Sequence, residues 1–408
     1  MQRFIRQAAD TLTLVSIIVL IACANTFACQ ISDPLEAGIL AIDSSPRIDQ
    51  LWRVPIGYQF STSDGREVCL GAIARASYLH DQRYEFTGTE SSFGVESQLF
   101  GAVCEPIAFG SVRFTGEFYL TQPFDRNLLV DYAERESFAH NFDVEPLEIS
   151  QLTIDWSYGD WRTTWGRFVT PFGRYHLPLF SNNRDDSHFL RSEAILFRET
   201  GLLVEWQPEI WQLALAMTNG SDGRDTNSSK AVVSRCGVEL ENFVGGVSVK
   251  WQDGTGSEGQ KEFNRHAGFD VLLRNGPWAV ASEFIYDQYG LRRPGFDLNE
   301  ITWGRSLYNR QLNIGRNEPI TGVGYHTSLI YHDCGRTWTL GYGQFFPQQI
   351  GDSIHDISTR RLMGQLQLNW SARVSSFATT YWENSVPAAQ GGRTRHGFYL
   401  LTGLQYTF

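Results

Sequence analysis

The sequence lacks several features that a chain of 408 residues often has. It contains only three lysines and 3 methionines, and charged residues make up 19% of it, against about 25% in an ordinary soluble domain. Beyond its N-terminus it has no apolar run of about 20 residues, which argues against a helical membrane protein. Its aromatic content of 13% excludes a disordered chain, and its net charge of −11 argues against a nucleic-acid-binding protein.

The one long apolar run lies at the N-terminus, at Thr11–Ala24. Its length is typical of the apolar core of a secretory signal and is short for a transmembrane helix. We therefore predict a signal peptide over residues 1–28, cleaved after Ala24 or Ala28. A second interpretation is that Leu20–Cys23 forms a lipobox, which would make Cys23 a lipidated N-terminus.

The cysteines and histidines show no metal-binding pattern. Of the six cysteines, Cys23 and Cys29 lie in or beside the signal, the other four are widely scattered, and the chain has no CxxC pair. We expect no cofactor and no metal, and we interpret the four as small buried or lipid-facing residues, with a disulfide as the alternative. They are Cys69, Cys104, Cys236 and Cys334.

From about residue 68 onward, short segments alternate apolar and polar residues with a period of two. In one segment Val247, Val249 and Trp251 alternate with Ser248 and Lys250. This alternation predicts β-strands rather than helices, and clusters of Gly, Asn, Asp and Pro separate the segments. The strands predicted are 68–80, 93–104, 111–121, 149–159, 160–168, 199–207, 210–218, 231–240, 244–252, 267–275, 277–287, 320–332, 335–346, 359–371, 372–383 and 394–408.

Sixteen strands with alternating tight and long connections indicate an all-β fold, a closed antiparallel transmembrane barrel of about 16 strands within a range of 14 to 18. We predict that the barrel covers 67–408 and that 29–66 is an N-terminal arm or plug. Long connections are expected at 122–148, 169–198, 253–266, 288–319 and 384–393. A soluble sandwich would show the same alternation, but aromatic residues near the strand ends favour a membrane barrel with interfacial girdles.

Two segments resemble outer-membrane porins. The stretch Trp165–Gly173 (WGRFVTPFG) resembles a segment of the phosphate-selective porin group, and the last strand, ending at Phe408, resembles the assembly strand of Gram-negative outer-membrane proteins. The resemblance implies a passive pore in the outer membrane of a diderm bacterium, often a homotrimer. It also implies a loop near 169–198 folded into the lumen, and recognition of the last strand by the barrel-assembly machinery.

The predicted lumen loop and the strand before it carry the candidate constriction. Residues 160–199 hold six arginines and five acids in a chain whose net charge is −11. Charges of both signs in a pore would filter small polar or anionic solutes weakly by charge. A strongly anion-selective pore would carry a basic ladder, so selectivity for phosphate is not expected. The predicted constriction residues are Arg162, Arg167, Arg174, Arg184, Arg191, Asp185 and Asp186.

Two other functions fit a barrel. A barrel hydrolase would need a nucleophile and a base, and His326 and His332 share a strand face near Asp333, but no GxSxG motif occurs. A structural or adhesive barrel plugged by its loops would pass no current. We expect no enzyme activity and no nucleic-acid partner, with membrane lipid and small solutes as the contacts of the chain.

Overall fold

A computed structural model describes most of the predicted barrel and none of the predicted signal peptide. The described residues are 58–62, 66–81, 91–122, 147–173, 198–220, 229–255, 261–292, 320–333, 335–350, 353–354, 359–371, 373–385 and 395–407. The predicted signal over 1–28 and the first part of the predicted arm, 29–57, lie outside these ranges. Among the described residues no helix is long and apolar enough to cross a membrane.

The described residues form nineteen strands in one antiparallel sheet. They are β1 Tyr58–Ser61, β2 Glu67–Asp81, β3 Ser91–Ile107, β4 Gly110–Gln122, β5 Leu147–Tyr158, β6 Trp161–Val169, β7 Arg198–Trp206, β8 Trp211–Thr218, β9 Ala231–Leu240, β10 Phe243–Trp251, β11 Asp253–Thr255, β12 Lys261–Asn275, β13 Trp278–Arg292, β14 Ile320–Asp333, β15 Arg336–Ile350, β16 Ser353–Ile354, β17 Thr359–Asn369, β18 Val374–Ser385 and β19 Arg395–Thr407.

Sixteen of these strands close into a barrel. Each pairs with the next along the chain, and β19 pairs with β2, with Thr407 opposite Ile73 and Tyr399 opposite Asp81. The other three, β1, β11 and β16, are two to four residues long and extend the rims. The predicted all-β, closed antiparallel barrel of 16 strands is confirmed.

The two ends of the barrel differ in their connections. At one end, which we call the short-turn end, the connections are of two to four residues; at the other end, the long-loop end, they are longer. Gly159 and Gly276 open two-residue turns with φ of 56° and 57°. Positive φ at this position costs glycine little and matches the twist of a tight hairpin.

Two predicted loops are partly wrong. β13 runs to Arg292, into the loop expected at 288–319. Residues 253–266 were expected to be a long connection, but β12 begins at Lys261 and pairs with β11. The apolar alternation does not reach this part of β12. Arg265 forms an ion pair with Asp253 and its guanidinium lies 4.4 Å from the centre of the Trp251 ring.

The barrel is inside out when compared with a soluble protein. Large apolar side chains on one set of alternate positions are exposed, among them Leu215, Met217 and Val247. Charged side chains on the other set are buried, among them Arg235 and Asp270. A soluble sandwich would bury the apolar set, whereas a membrane barrel turns it toward lipid. The sandwich alternative is therefore excluded, and Cys236 lies on the exposed, lipid-facing set.

Aromatic residues cluster near the short-turn end of the outer face. Trp161 stacks on Trp206 across β6 and β7, with ring centroids 5.6 Å apart. Trp278 of β13 packs edge-on against Trp338 of β15 at 5.2 Å, and Tyr331 lies between them. Such rings suit the boundary between lipid and water, so this belt marks one edge of the membrane-spanning band.

Candidate pore lining

The inner face of the barrel carries the candidate site, and its first element is a short segment that leaves the wall. After β6 the chain continues as Thr170–Gly173, which we call the strut. The backbone N–H of Gly173 donates a hydrogen bond to Ser248 Oγ on β10 at 2.9 Å. The Phe172 ring is fully buried and packs edge-on against His266 of β12, with centroids 6.2 Å apart. The strut thus joins β6 to strands four and five places along the wall.

A buried ion pair lies beside the strut. Lys250 Nζ of β10 donates to Glu199 Oε1 of β7 at 2.8 Å, and both side chains are 0% exposed. The second carboxylate oxygen, Glu199 Oε2, accepts a hydrogen bond from Thr170 Oγ1 at 3.2 Å. A buried charge is tolerated only when it is paired and hydrogen-bonded, and here both conditions are met for the carboxylate.

A second ion pair runs along the wall itself. Arg235 of β9 donates to both carboxylate oxygens of Asp270 on β12, at 2.7 and 3.3 Å, and to Gln212 Oε1 at 3.1 Å. The guanidinium reaches Asp270 by lying across Gly237 and Gly246. A Cβ at Gly246 would be 2.6 Å from Arg235 Nη2, and one at Gly237 would be 2.5 Å from Nη1. These two glycines therefore let the arginine lie flat against the wall.

A third cluster lies on β5 to β7 near the short-turn end. Asp155 Oδ1 accepts hydrogen bonds from Arg162 Nη2 at 3.0 Å and from Thr164 Oγ1 at 2.6 Å, and Oδ2 accepts one from Thr153 at 3.2 Å. The other terminal nitrogen, Arg162 Nη1, is 3.7 Å from Glu205 Oε2. One guanidinium and two hydroxyl groups therefore hold the Asp155 side chain in place.

The structure brings together few of the predicted constriction residues. Arg162 lies on the inner face, in the cluster around Asp155. Arg167 shares the outer set of positions with Trp165 and lies opposite Leu152, which is exposed, so its position is on the other face of the wall. Five others lie in 174–197, outside the described residues, and their role stays a prediction: Arg174, Arg184, Arg191, Asp185 and Asp186.

Two deeply buried ion pairs involve residues that the constriction prediction did not include. They are Arg235–Asp270 and Lys250–Glu199. The alternation in the sequence does indicate that Arg235 and Lys250 face inward, because both occupy polar positions between apolar ones. Their partners could not be predicted, since Glu199 is three strands away from Lys250 along the wall.

The two histidines of β14 lie beside different hydroxyl groups. His326 Nδ1 lies 3.5 Å from Ser328 Oγ, which is long for a nucleophile and its base, and both residues are at most 3% exposed. His332 instead lies 2.7 Å from Thr337 Oγ1. No group of three or more metal-ligating side chains occurs among the described residues.

Solved structures share this architecture. The outer membrane channel DcaP of Acinetobacter baumannii aligns with a TM-score of 0.60 and 11% identity, over 86% of this chain and 99% of that one. The anion-selective porin from Comamonas acidovorans aligns with a TM-score of 0.56 and 10% identity, over 84% and 100%. OmpT of Vibrio cholerae, in its trimer form, aligns with a TM-score of 0.54 and 7% identity, over 85% and 100%.

The sequence itself gives no such match. No protein-family model matches it, and no curated protein does. At identities this low the structural likeness establishes the fold and nothing finer, and the predicted likeness to the phosphate-selective group stays a prediction. The fold and the apolar outer face together place the chain in the outer membrane of a Gram-negative bacterium, as a sixteen-stranded barrel with the fold of outer-membrane porins.

Proposed function

We propose that this barrel is a pore through which small polar or ionic solutes diffuse passively, and that it is not an enzyme. The observation that carries the proposal is the polar inner face, because a barrel that turns charged side chains inward can hold water along its axis. The likeness of the fold to a channel and a porin supports it.

We propose further that charge selectivity is weak. Three inner cations, Lys250, Arg235 and Arg162, each contact a carboxylate, so their charges largely cancel within the wall. Neutralised pairs leave only a small net field for a passing ion. Such pairing does not supply the ladder of unopposed basic groups that a phosphate filter would use.

Conductance in planar bilayers tests both statements. The refolded chain should insert and pass current, and a tenfold KCl gradient should give a reversal potential much closer to zero than to that of an ideal anion or cation filter. A reversal potential near the ideal anion value would contradict weak selectivity. Insertion without current would favour the structural, loop-plugged barrel, and release of fatty acid or peptide would favour the hydrolase.

The outer wall near the barrel closure supports a proposal for assembly as a homotrimer. On β2 three successive outward positions, Ala72, Ala74 and Ala76, carry small side chains, whereas most other strands present large apolar side chains outward. Small side chains allow two walls to approach closely within a membrane. Ala74→Trp should convert a trimer into monomers on a gel run without heating, and a monomeric unaltered protein would refute the proposal.

We propose that the last strand directs assembly. β19 closes the barrel on β2, and the residue after it is Phe408, the aromatic end predicted to be recognised by the assembly machinery. Deletion of Phe408 should reduce the amount of folded barrel in the outer membrane while leaving refolding in detergent unchanged.

A further inference from the structure

We propose that one side of the inner wall is a binding track for neutral polyols, the chemical class of sugars and sugar alcohols. The track lies on β15, β17 and β19 and is built from uncharged amide and hydroxyl side chains. We call it the amide track, and its residues are Thr337, Thr339, Gln365, Gln367, Asn369 and Gln405. The inference names a solute class for the proposed pore and rests on that function for transport, but binding itself can be tested without any current.

The register of the strands places the track residues side by side. Gln365 lies opposite Thr339, and Gln367 lies opposite Thr337 on the paired strand. All six residues occupy inner positions, and each is partly exposed. Neighbours on one face of a sheet are about 7 Å apart along a strand and about 5 Å apart between strands. A solute that moves along this wall therefore passes one polar group after another at short intervals.

This part of the wall carries no charge. Among the described inner positions, taken at alternate residues, none is acidic or basic over 337–343 on β15, 363–369 on β17, 375–379 on β18 and 401–407 on β19. The base beside it is Arg75 of β2, which lies opposite Gln405. Arg75 is 7% exposed, and its guanidinium lies 3.8 Å from the centre of the Phe377 ring. A solute on the track therefore meets neutral groups.

The opposite side of the lumen has charges, but they are covered. β17 is eight barrel strands away from β7, which carries Glu199. The four residues of the Lys250–Glu199 and Arg235–Asp270 ion pairs are at most 4% exposed. A solute cannot reach these charges, whereas the side chains of the amide track are open to the lumen. This difference in access favours recognition by hydrogen bonds over recognition by charge.

The side chains of the track match the groups of a polyol. An amide offers N–H donors and a carbonyl acceptor, and a hydroxyl group both donates and accepts. Each hydroxyl group of a polyol can therefore donate to the track and accept from it. Gln367 Nε2 donates to Asn369 Oδ1 at 3.0 Å, which orients the Gln367 amide before a solute arrives. An inorganic ion gains less, because it would lose hydration without meeting an opposite charge.

The track variant is Gln367→Leu, which removes an amide and adds no charge. The matched control is Gln151→Leu, which makes the same change at a partly exposed inner position of β5, six barrel strands from β17. The double variant Gln365→Leu with Gln367→Leu should enlarge the effect. Retarded, heat-sensitive migration on a gel verifies that each barrel has folded.

The first readout is saturation-transfer difference NMR of the barrel in detergent, with sorbitol as the probe. Transfer to sorbitol should be equal for the unaltered protein and the control, at least twofold lower for Gln367→Leu and at least fivefold lower for the double variant. Tetraethylene glycol, which has a similar mass but hydroxyl groups only at its ends, should give a much weaker signal. No transfer to sorbitol in the unaltered protein, or undiminished transfer in the double variant, overturns the track.

The second readout is the swelling of proteoliposomes in sorbitol and in tetraethylene glycol. The ratio of the sorbitol rate to the tetraethylene glycol rate should be at least threefold lower for the double variant than for the control. An unchanged ratio refutes the role of the track in transport. Transfer of magnetisation that depends on the track, with neither swelling nor current in the unaltered protein, supports the binding site and refutes the pore.

A charged variant tests whether the track borders the conducting path. Gln365→Glu with Gln367→Glu keeps the shape of both side chains and makes them acidic. Acidic side chains that line a pore favour cations, so in a tenfold KCl gradient the reversal potential should move toward that of an ideal cation filter. An unchanged reversal potential in a conducting channel would place the track away from the path and overturn its role in transport.

Discussion

On β10, Val249 is about half exposed on the outer face, whereas its neighbour Lys250 is fully buried on the inner face. The two residues show the different demands that the two faces of the wall place on the sequence. The outer face meets lipid, a solvent without hydrogen-bonding groups, so any large apolar side chain serves there. On the inner face each buried charge needs one particular partner, and those partners come from distant strands.

The difference predicts how each face responds to change. On the outer face, the change in the free energy of unfolding should depend on the polarity of the new side chain. On the inner face, it should depend on whether the substitution leaves a buried partner without its ion pair or hydrogen bond. Four variants test this contrast, and all can be compared by urea unfolding in detergent or lipid, with the intrinsic tryptophan fluorescence as the signal.

The largest effect is expected from Lys250→Met, which leaves Glu199 buried without its cation. Breaking a buried ion pair by removing one partner costs about 3–5 kcal/mol of folding free energy. The double variant Glu199→Gln with Lys250→Met should recover most of this loss. A single variant that is as stable as the unaltered protein would show that the pair is not buried in the membrane-bound barrel.

The next effect compares Leu340 of β15 with Gln365 of β17, which lie on opposite faces of two paired strands. Leu340→Arg places a charge on the lipid-facing set of positions, where Leu340 is 51% exposed and lies farther than Trp338 from the short-turn end, and should cost about 2–4 kcal/mol. Gln365→Arg places the same charge on the inner set, where water is available, and should change the free energy of unfolding by less than about 1 kcal/mol. Equal effects at the two positions would contradict the assignment of the faces.

A smaller effect is expected from Gly246→Ala. The new methyl group would lie 2.6 Å from Arg235 Nη2, so the guanidinium must rise from the wall and loosen its contact with Asp270. Overpacking of this kind costs about 1–3 kcal/mol. Gly364→Ala is the control, because the nearest atom to its added Cβ is a side-chain methyl of Thr380 at 3.3 Å. The control should be as stable as the unaltered protein.

The smallest effect is expected from Arg265→Met, which breaks the partly exposed ion pair with Asp253 beyond the inner clusters. Exposed pairs contribute about 1 kcal/mol or less, and salt screens them further. The loss should therefore shrink as NaCl is raised, whereas the loss in Lys250→Met should hardly change. A loss of several kcal/mol would place this pair in a much drier environment than its exposure indicates.

The sequence predicted the strands and faces well because both follow from local alternation. Val247 and Lys250 can be assigned to opposite faces from β10 alone, since lipid and water impose the period of two on every strand. The start of β12 was missed, because at Arg265 the strand leaves the apolar band and the alternation stops. The register places Arg167 on the outer set of positions, which its charge alone does not indicate.

The pairs within the lumen could not be predicted in the same way. Glu199 and Lys250 are 51 residues apart in the chain, and they meet only because β7 and β10 belong to one curved wall. The contact depends on the strand number, the register and the curvature together. No local pattern encodes that combination, so the structure was needed to identify which residues pair with each other.

The short strand β1 has a consequence for how the chain folds. It pairs with β2 at Glu67–Leu70. The next stretch of β2 pairs with β19 along the same edge. The beginning and the end of the barrel sequence therefore lie side by side along one edge of β2. Thr407 and Ile73, which face each other at this seam, are 334 positions apart. Contacts of such large sequence separation are slow to form, so the seam should close last. Until the final strand has been exported, β2 presents an unpaired edge, and the cell must keep that edge from pairing with other chains.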